Sequence, residues 1–517
     1  MTAQVPGPVA ARDYDRAVDR SDTPDHHPAW DRFAAWMGVL SDLDGMDQLL
    51  EWDQETAMPA AGTEGRSRLF GTVALLLHRE LVRPDMEETL AQLAADPDLD
   101  ADRRAMVRLA ARERARATAI PEDLARVERE LESRCTAAWR DAREADDLAP
   151  FATAFAPLLD VKREIAGMLA DGGEPYDALL DRFEPGARAS ELEPLFADLR
   201  NRLAPIVDAA SGRPAPELPD ARWDEADQLK LAHAVARMMG FDPAAGAIGF
   251  TAHPFTSMHH RGDVRFSTHI DPRNPVTNVL VVLHEVGHAL YDQGLPAWHD
   301  RTLLHVAPSL GAHESQSRFC EMHVGCGSPF WRRLEPEMRR LFPAQMDGVD
   351  AESLAATTRV VRPGALRLEA DEVTYNLHII VRFELELALL RGDLGVADLP
   401  GAWADRVEAL LGVRPAGHRD GVLQDVHWAA GLIGYFPTYT LGNIYAAQLR
   451  AALEEEVGAL DEIVQRGDFG VILEFMRDRV HRHGRRYETR ELMRAATGRE
   501  LGVDELISHL ERRYLDS

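Results

Sequence analysis

His284-Glu285-Val286-Gly287-His288 sits inside residues 274–296, a run that reads as one buried helix. Asn274 is placed to cap that helix, Pro275 suits its first position, and Gly294 and Pro296 end it. Val279, Leu280, Val282, Leu283, Val286 and Leu290 give it a wide apolar surface. Two histidines four residues apart share one face of a helix, so both imidazoles reach one metal ion. Glu285 points to a neighbouring azimuth, beside that ion without being its ligand. Zinc lowers the pKa of a water from near 16 to about 7, and a carboxylate so placed takes the proton as the water attacks a carbonyl. Left without a metal, two buried histidines and a glutamate would each need another partner.

Catalytic zinc keeps three protein ligands and one open position. A metzincin continuation would need glycine and histidine where Tyr291 and Gly294 stand, so the third donor comes from elsewhere. The segment from Ala312 to Glu321 is the nearest source, folded back as a second helix. Spacing leaves Glu314, Glu321 and His313 as alternatives. On a straight helix Glu321 would sit over 10 Å beyond Glu314, roughly by helix rise.

Six runs in chain order resemble the Taq-type metallocarboxypeptidase family. They are His253-Pro254-Phe255, Asp263 to Thr268, the motif itself, His313-Glu314-Ser315-Gln316, Arg367 to Asp371, and Gly421 to Trp428. Leu50 to Thr56 is similar to the family's N-terminal portion, and the likeness spans about residue 30 onward. Ser267 stands where the D-x-R-x-T pattern has threonine, which keeps the hydroxyl. The resemblance implies Glu314 as third ligand, Glu285 as catalytic base, broad specificity toward short peptides, and a homodimer. Zinc is the expected ion, and cobalt accepts the same donors.

The 517 residues show no long Gly/Ser/Pro linker and no internal repeat. Residues 1–27 lack apolar periodicity and read as a flexible tail without a signal peptide's apolar stretch, leaving 28–517 as one catalytic domain. Helical spacing recurs at 29–51, 61–84, 101–118, 121–146, 149–171, 190–210, 223–240 and 448–466. Residues 248–259 and 263–270 read instead as a small hairpin ahead of the motif helix, an edge on which a peptide can add a strand. The expected fold is therefore mainly α, one large helical domain with a small sheet lining a deep cleft, in a gluzincin-like arrangement.

A net charge of −28 argues against nucleic acid, and the longest aliphatic run, 279–283, is far short of a membrane span. The three cysteines have no pair spacing, which favours a reducing cytoplasm. Cys320, though near the expected ligands, reads as a core residue.

An exopeptidase must hold a terminal carboxylate, a task suited to arginine's planar fork. The candidates are Arg265, Arg367 and Arg382, with Asp371 a helical-spacing partner for Arg367. Gln424, His427, Tyr435 and Tyr439 are candidate donors to substrate or oxyanion, and His427 and Tyr439 are preferred. Asp425 is expected to orient His427 or cap a helix, and His253 is a cleft candidate. Residue patterns alone leave an endo-oligopeptidase as the alternative.

Overall fold

The computed structural model describes residues 27–214 and 216–515, so the predicted tail lies outside it except for His27. Helices Pro28–Thr56, Ala101–Ala119, Glu122–Ala145, Leu148–Ala170, Ala189–Ala210 and Glu225–Met239 follow the sequence expectation closely. Two expected spans divide. The second stops at Leu81, and a new helix opens at Pro84, where the missing N–H is harmless. The last begins at Pro437, ends at Val457 before Gly458 at φ 110°, and resumes as Leu460–Arg466. Residues 437–447 escape periodicity analysis because they are buried on nearly every side.

The sheet has three strands, not two. β1 (Gly246–Phe250) runs parallel to β3 (Asp263–Thr268), and β2 (Thr256–His260) pairs antiparallel on its other side. The β2–β3 hairpin matches the expected one, whereas the expected strand 248–259 divides into β1 and β2, which lie in one apolar stretch of sequence. The Thr256↔Phe266 and Ser257↔Arg265 pairs set the faces of the sheet. Thr256 and Phe266 face the motif helix, whereas Ser257 bonds Gln48 of Pro28–Thr56 at 3.3 Å.

The motif helix Pro275–Gln293 is capped as expected, with Asn274 Oδ1 accepting from the Val276 and Thr277 amides. Val279, Val282, Leu283 and Val286 are fully buried, each worth about 1.5–3 kcal/mol. That burial fixes the helix's rotation, and with it the direction of both histidines. The helix Leu310–Arg318 packs across it and widens into a π-turn, Phe319–Gly325. Backbone contact between the two is possible because residue 287 is glycine: a Cβ there would lie 2.5 Å from Ser317 Cα. The helix Pro437–Val457 covers Leu310–Arg318, and a Cβ at Gly442 would stand 2.5 Å from Glu314 Cγ.

A second apolar cluster joins Phe33, Trp36, Met37, Leu93, Met106 and Leu109 of the N-terminal helices, with Leu304 reaching in from the body. No helix among the described residues is long and apolar enough to cross a membrane. All three cysteines are free and buried, and burial pushes the Cys320 thiol up to about 12, so it is no nucleophile.

Candidate active site

His284, His288 and Glu314 converge. One donor atom from each lies within 4.8 Å of the others, and Glu314 Oε2 stands 3.7 Å from His284 Nε2 and 3.5 Å from His288 Nε2. Those gaps exceed an ordinary N–H···O bond. Donors about 2.0–2.1 Å from a tetrahedral zinc stand roughly 3.3 Å apart, so the spacing fits a shared ion. Burial lowers the His284 imidazole, but Glu314 and Glu321 outweigh it and raise it to about 9. Its Nδ1–H donates to Glu321 Oε2 at 2.8 Å, so the Nε2 proton is the one a metal would displace. Burial alone would raise the Glu314 carboxyl, but His284 and His288 outweigh it and hold it well below the usual range.

The two rival ligands have other positions. Glu321 lies behind His284, held by Arg318 Nη1 at 2.7 Å, and the imidazole fills the gap between it and Glu314. Glu321, distant from Glu314 along the chain, meets the same ring because a histidine offers nitrogens on both sides. His313 bonds Asp292 at 3.0 Å and packs its ring against His288, centroids 4.4 Å apart.

Glu285 is buried beside this cluster, and burial raises its carboxyl above the usual range. Its Oε2 accepts the Thr256 hydroxyl at 2.7 Å. Thr256 escaped the sequence reading, although it directly follows His253-Pro254-Phe255.

A second buried group adjoins the first. Tyr439 lies one turn before Gly442, on the helix face that touches Glu314. Arg367 stacks over the Tyr439 ring at 5.3 Å and reaches the Tyr375 hydroxyl at 3.3 Å. Its Nε and Nη2 hold Asp425 Oδ1 at 3.0 and 2.8 Å, while Arg382 grips Oδ2 at 2.7 and 2.5 Å. Burial raises Asp425, but Arg382 and Arg367 outweigh it and keep it ionised. Two guanidiniums thus share one carboxylate, which leaves one positive charge uncompensated within the trio. His427 Nε2 lies 3.2 Å from the Tyr439 hydroxyl, its buried Nδ1 has no partner among the described residues, and burial pushes the ring down to about 4, hence neutral.

The chain matches the model of the Carboxypeptidase Taq (M32) metallopeptidase family over residues 33–514. It belongs to that family. It is 41% identical over 487 residues to Thermostable carboxypeptidase 1 of Thermus thermophilus, covering 91% of this chain and 95% of that one. It is 33% identical over 470 residues to Carboxypeptidase 1 of Bacillus subtilis, covering 90% and 94%. The crystal structure of an M32 carboxypeptidase from Deinococcus radiodurans superposes with a TM-score of 0.92 at 34% identity, covering 95% of this chain and 99% of that one. Trypanosoma cruzi metallocarboxypeptidase 1 gives 0.91 at 31%, covering 94% and 99%. The protein is a metallocarboxypeptidase; the endo-oligopeptidase reading has no support among these relatives.

Elsewhere in this carboxypeptidase, the partners of several candidates differ from expectation. Asp371 does not hold Arg367: it accepts from the Val373 and Thr374 amides in the turn that leads into the helix Tyr375–Arg391. Asp425 neither bonds His427 nor caps a helix, being taken up by the two arginines. Gln424 accepts the Arg367 amide at 2.8 Å and fixes that turn. Tyr435 packs on Tyr439, centroids 5.4 Å apart. Arg265 shares the sheet face of Ser257, where it forks onto Asp263 at 2.7 Å and lies over Trp52 at 6.0 Å. That face is opposite Glu285. His253 is exposed, and its carbonyl accepts the Thr251 hydroxyl.

Proposed function

We propose that the protein is a zinc carboxypeptidase releasing single C-terminal residues from short peptides with broad specificity. The observation that carries the reading is the His284–His288–Glu314 cluster set beside a buried, positively charged arginine pair. A divalent metal held by those three residues, zinc or alternatively cobalt, supplies Lewis acidity toward water and the scissile carbonyl. Glu285 takes the proton of the attacking water and returns it to the departing amine. Arg367, with Arg382 behind Asp425, receives the terminal carboxylate by charge-assisted bonds. Tyr439 and neutral His427 contact the substrate, with His427 Nε2 accepting from the Tyr439 hydroxyl.

The edge of β2 supports peptide binding. Ser267 N–H bonds Phe255 O, so by alternation the backbone of Thr256 and Met258 turns away from β3 toward an added strand. Arg265 and His253 have no part in this scheme, given their positions. We assign residues 28–517 to one catalytic unit. Its cytoplasmic location is supported by the three unpaired cysteines, and a homodimer by the family resemblance.

The test is product analysis on one blocked tripeptide, as the free acid and as the C-terminal amide. The acid should lose one residue, and the amide should react at least about tenfold more slowly in kcat/KM, because a charge-assisted contact is lost. Equal cleavage of both, or internal fragments as first products, would overturn the assignment.

A further inference from the structure

The His253-Pro254-Phe255 run led the sequence reading to His253, yet the side chain that reaches the catalytic cluster is the next one, Thr256. The strand is anchored on both sides of it. Phe255 packs on Trp52, centroids 5.4 Å apart, its amide donates to Ser267 Oγ at 3.0 Å, and Ser257 bonds Gln48. Period-two alternation then turns Thr256 toward the motif helix. Its Oγ1 lies 2.7 Å from Glu285 Oε2 and 3.1 Å from the Glu285 backbone oxygen. A single hydroxyl proton goes to the carboxylate, because a bond to an ionised acceptor is the stronger of the two. Glu285 Oε1 makes no hydrogen bond with any described residue.

We propose that Thr256 is a positioning residue for the hydrolytic step: its hydroxyl occupies Oε2 of Glu285, fixes the carboxylate plane, and reserves Oε1 for the proton of the attacking water. The inference rests on Glu285 being the base. With Oε2 already accepting a bond, the proton taken from water resides on Oε1, the oxygen from which it can pass to the leaving amine. Without the hydroxyl, the carboxylate is free to rotate, and either oxygen competes for the proton. Threonine suits the role because its branched Cβ restricts χ1, so the hydroxyl is held in place by the strand rather than by the substrate.

The experiment compares Thr256→Val, which keeps shape and loses the hydroxyl, with Thr256→Ser, which keeps the hydroxyl. Each is made in the parent and in Glu285→Gln, with zinc content measured throughout. Thr256→Val should lower kcat about 10- to 100-fold, as expected for one charge-assisted bond, with KM within twofold and zinc at the parental level. Thr256→Ser should recover most of the loss. In the Glu285→Gln background Thr256→Val should cost less than twofold, since the group it positions is already disabled. Parental kcat in Thr256→Val, a serine variant as impaired as the valine, a loss tracking zinc content, or an equal loss in both backgrounds would each overturn the proposal. Failure of the base assignment would show separately, as near-parental turnover in Glu285→Gln alone.

Discussion

Gly287 stands against Ser317, so close that an added Cβ would lie 2.5 Å from the Ser317 Cα. The third residue after His284 is thus a spacer between two helices, and this contact brings Glu314 within reach of both histidines. Gly287→Ala should push the helices apart, destabilise the protein by about 1–3 kcal/mol, and weaken zinc binding. Thermal unfolding and zinc stoichiometry after dialysis check this; parental values for both would show that the contact relaxes freely.

Glu314 and Glu321 face opposite nitrogens of His284, and their substitutions should differ in kind. Glu314→Ala removes one of the three proposed ligands and should leave the protein largely without zinc. Glu321→Ala frees the His284 ring and its tautomer, and should weaken zinc binding roughly 10–100-fold. A competitive chelator titration separates the two. The reverse order would exchange ligand and supporting partner.

Glu285→Gln should retain zinc and lose about 10²–10⁴-fold in turnover, the usual contribution of a general base. Chelation of the parent should abolish activity, with recovery on adding zinc or cobalt. Activity persisting in verified metal-free protein would contradict the metal's role.

Glu386 carries a pH signature away from the metal. It accepts from Trp428 Nε1 and the Tyr176 hydroxyl at 2.8 Å each and from the Gly434 amide at 3.1 Å, so it holds the loop that bears His427. Burial raises its carboxyl from 4.5 to about 7. Between those values the folded protein keeps a proton that the unfolded chain has lost. Its stabilising contribution is therefore fully present below about pH 4.5 and is lost as pH rises to about 7. Relative to Glu386→Gln, the parent should lose on the order of 3 kcal/mol of unfolding free energy across that window and change little above it. Urea denaturation of both proteins at several pH values tests this, and a flat difference would mean that the carboxyl titrates normally.

By itself the sequence determined the motif helix, its caps, its buried face and the convergence of His284 and His288. These depend on a 3.6-residue period and on contacts within a few residues, which are local properties of the chain. Only family resemblance favours Glu314 over Glu321 and His313, because spacing along a helix does not tell which ring nitrogen a carboxylate meets. Tertiary structure alone decided the long-range pairings. Arg367 bonds Asp425, 58 residues away, rather than Asp371, and Glu321 supports His284 across 37 residues. It also decided which face of the sheet meets the His284–His288–Glu314 cluster. Alternation puts Thr256 and Arg265 on opposite faces, but only packing between Pro28–Thr56 and Pro275–Gln293 turns Thr256 toward Glu285 and Arg265 toward Trp52. A strand's pattern is the same whichever way the sheet is turned, so the threonine beside Glu285 is visible only in the folded chain.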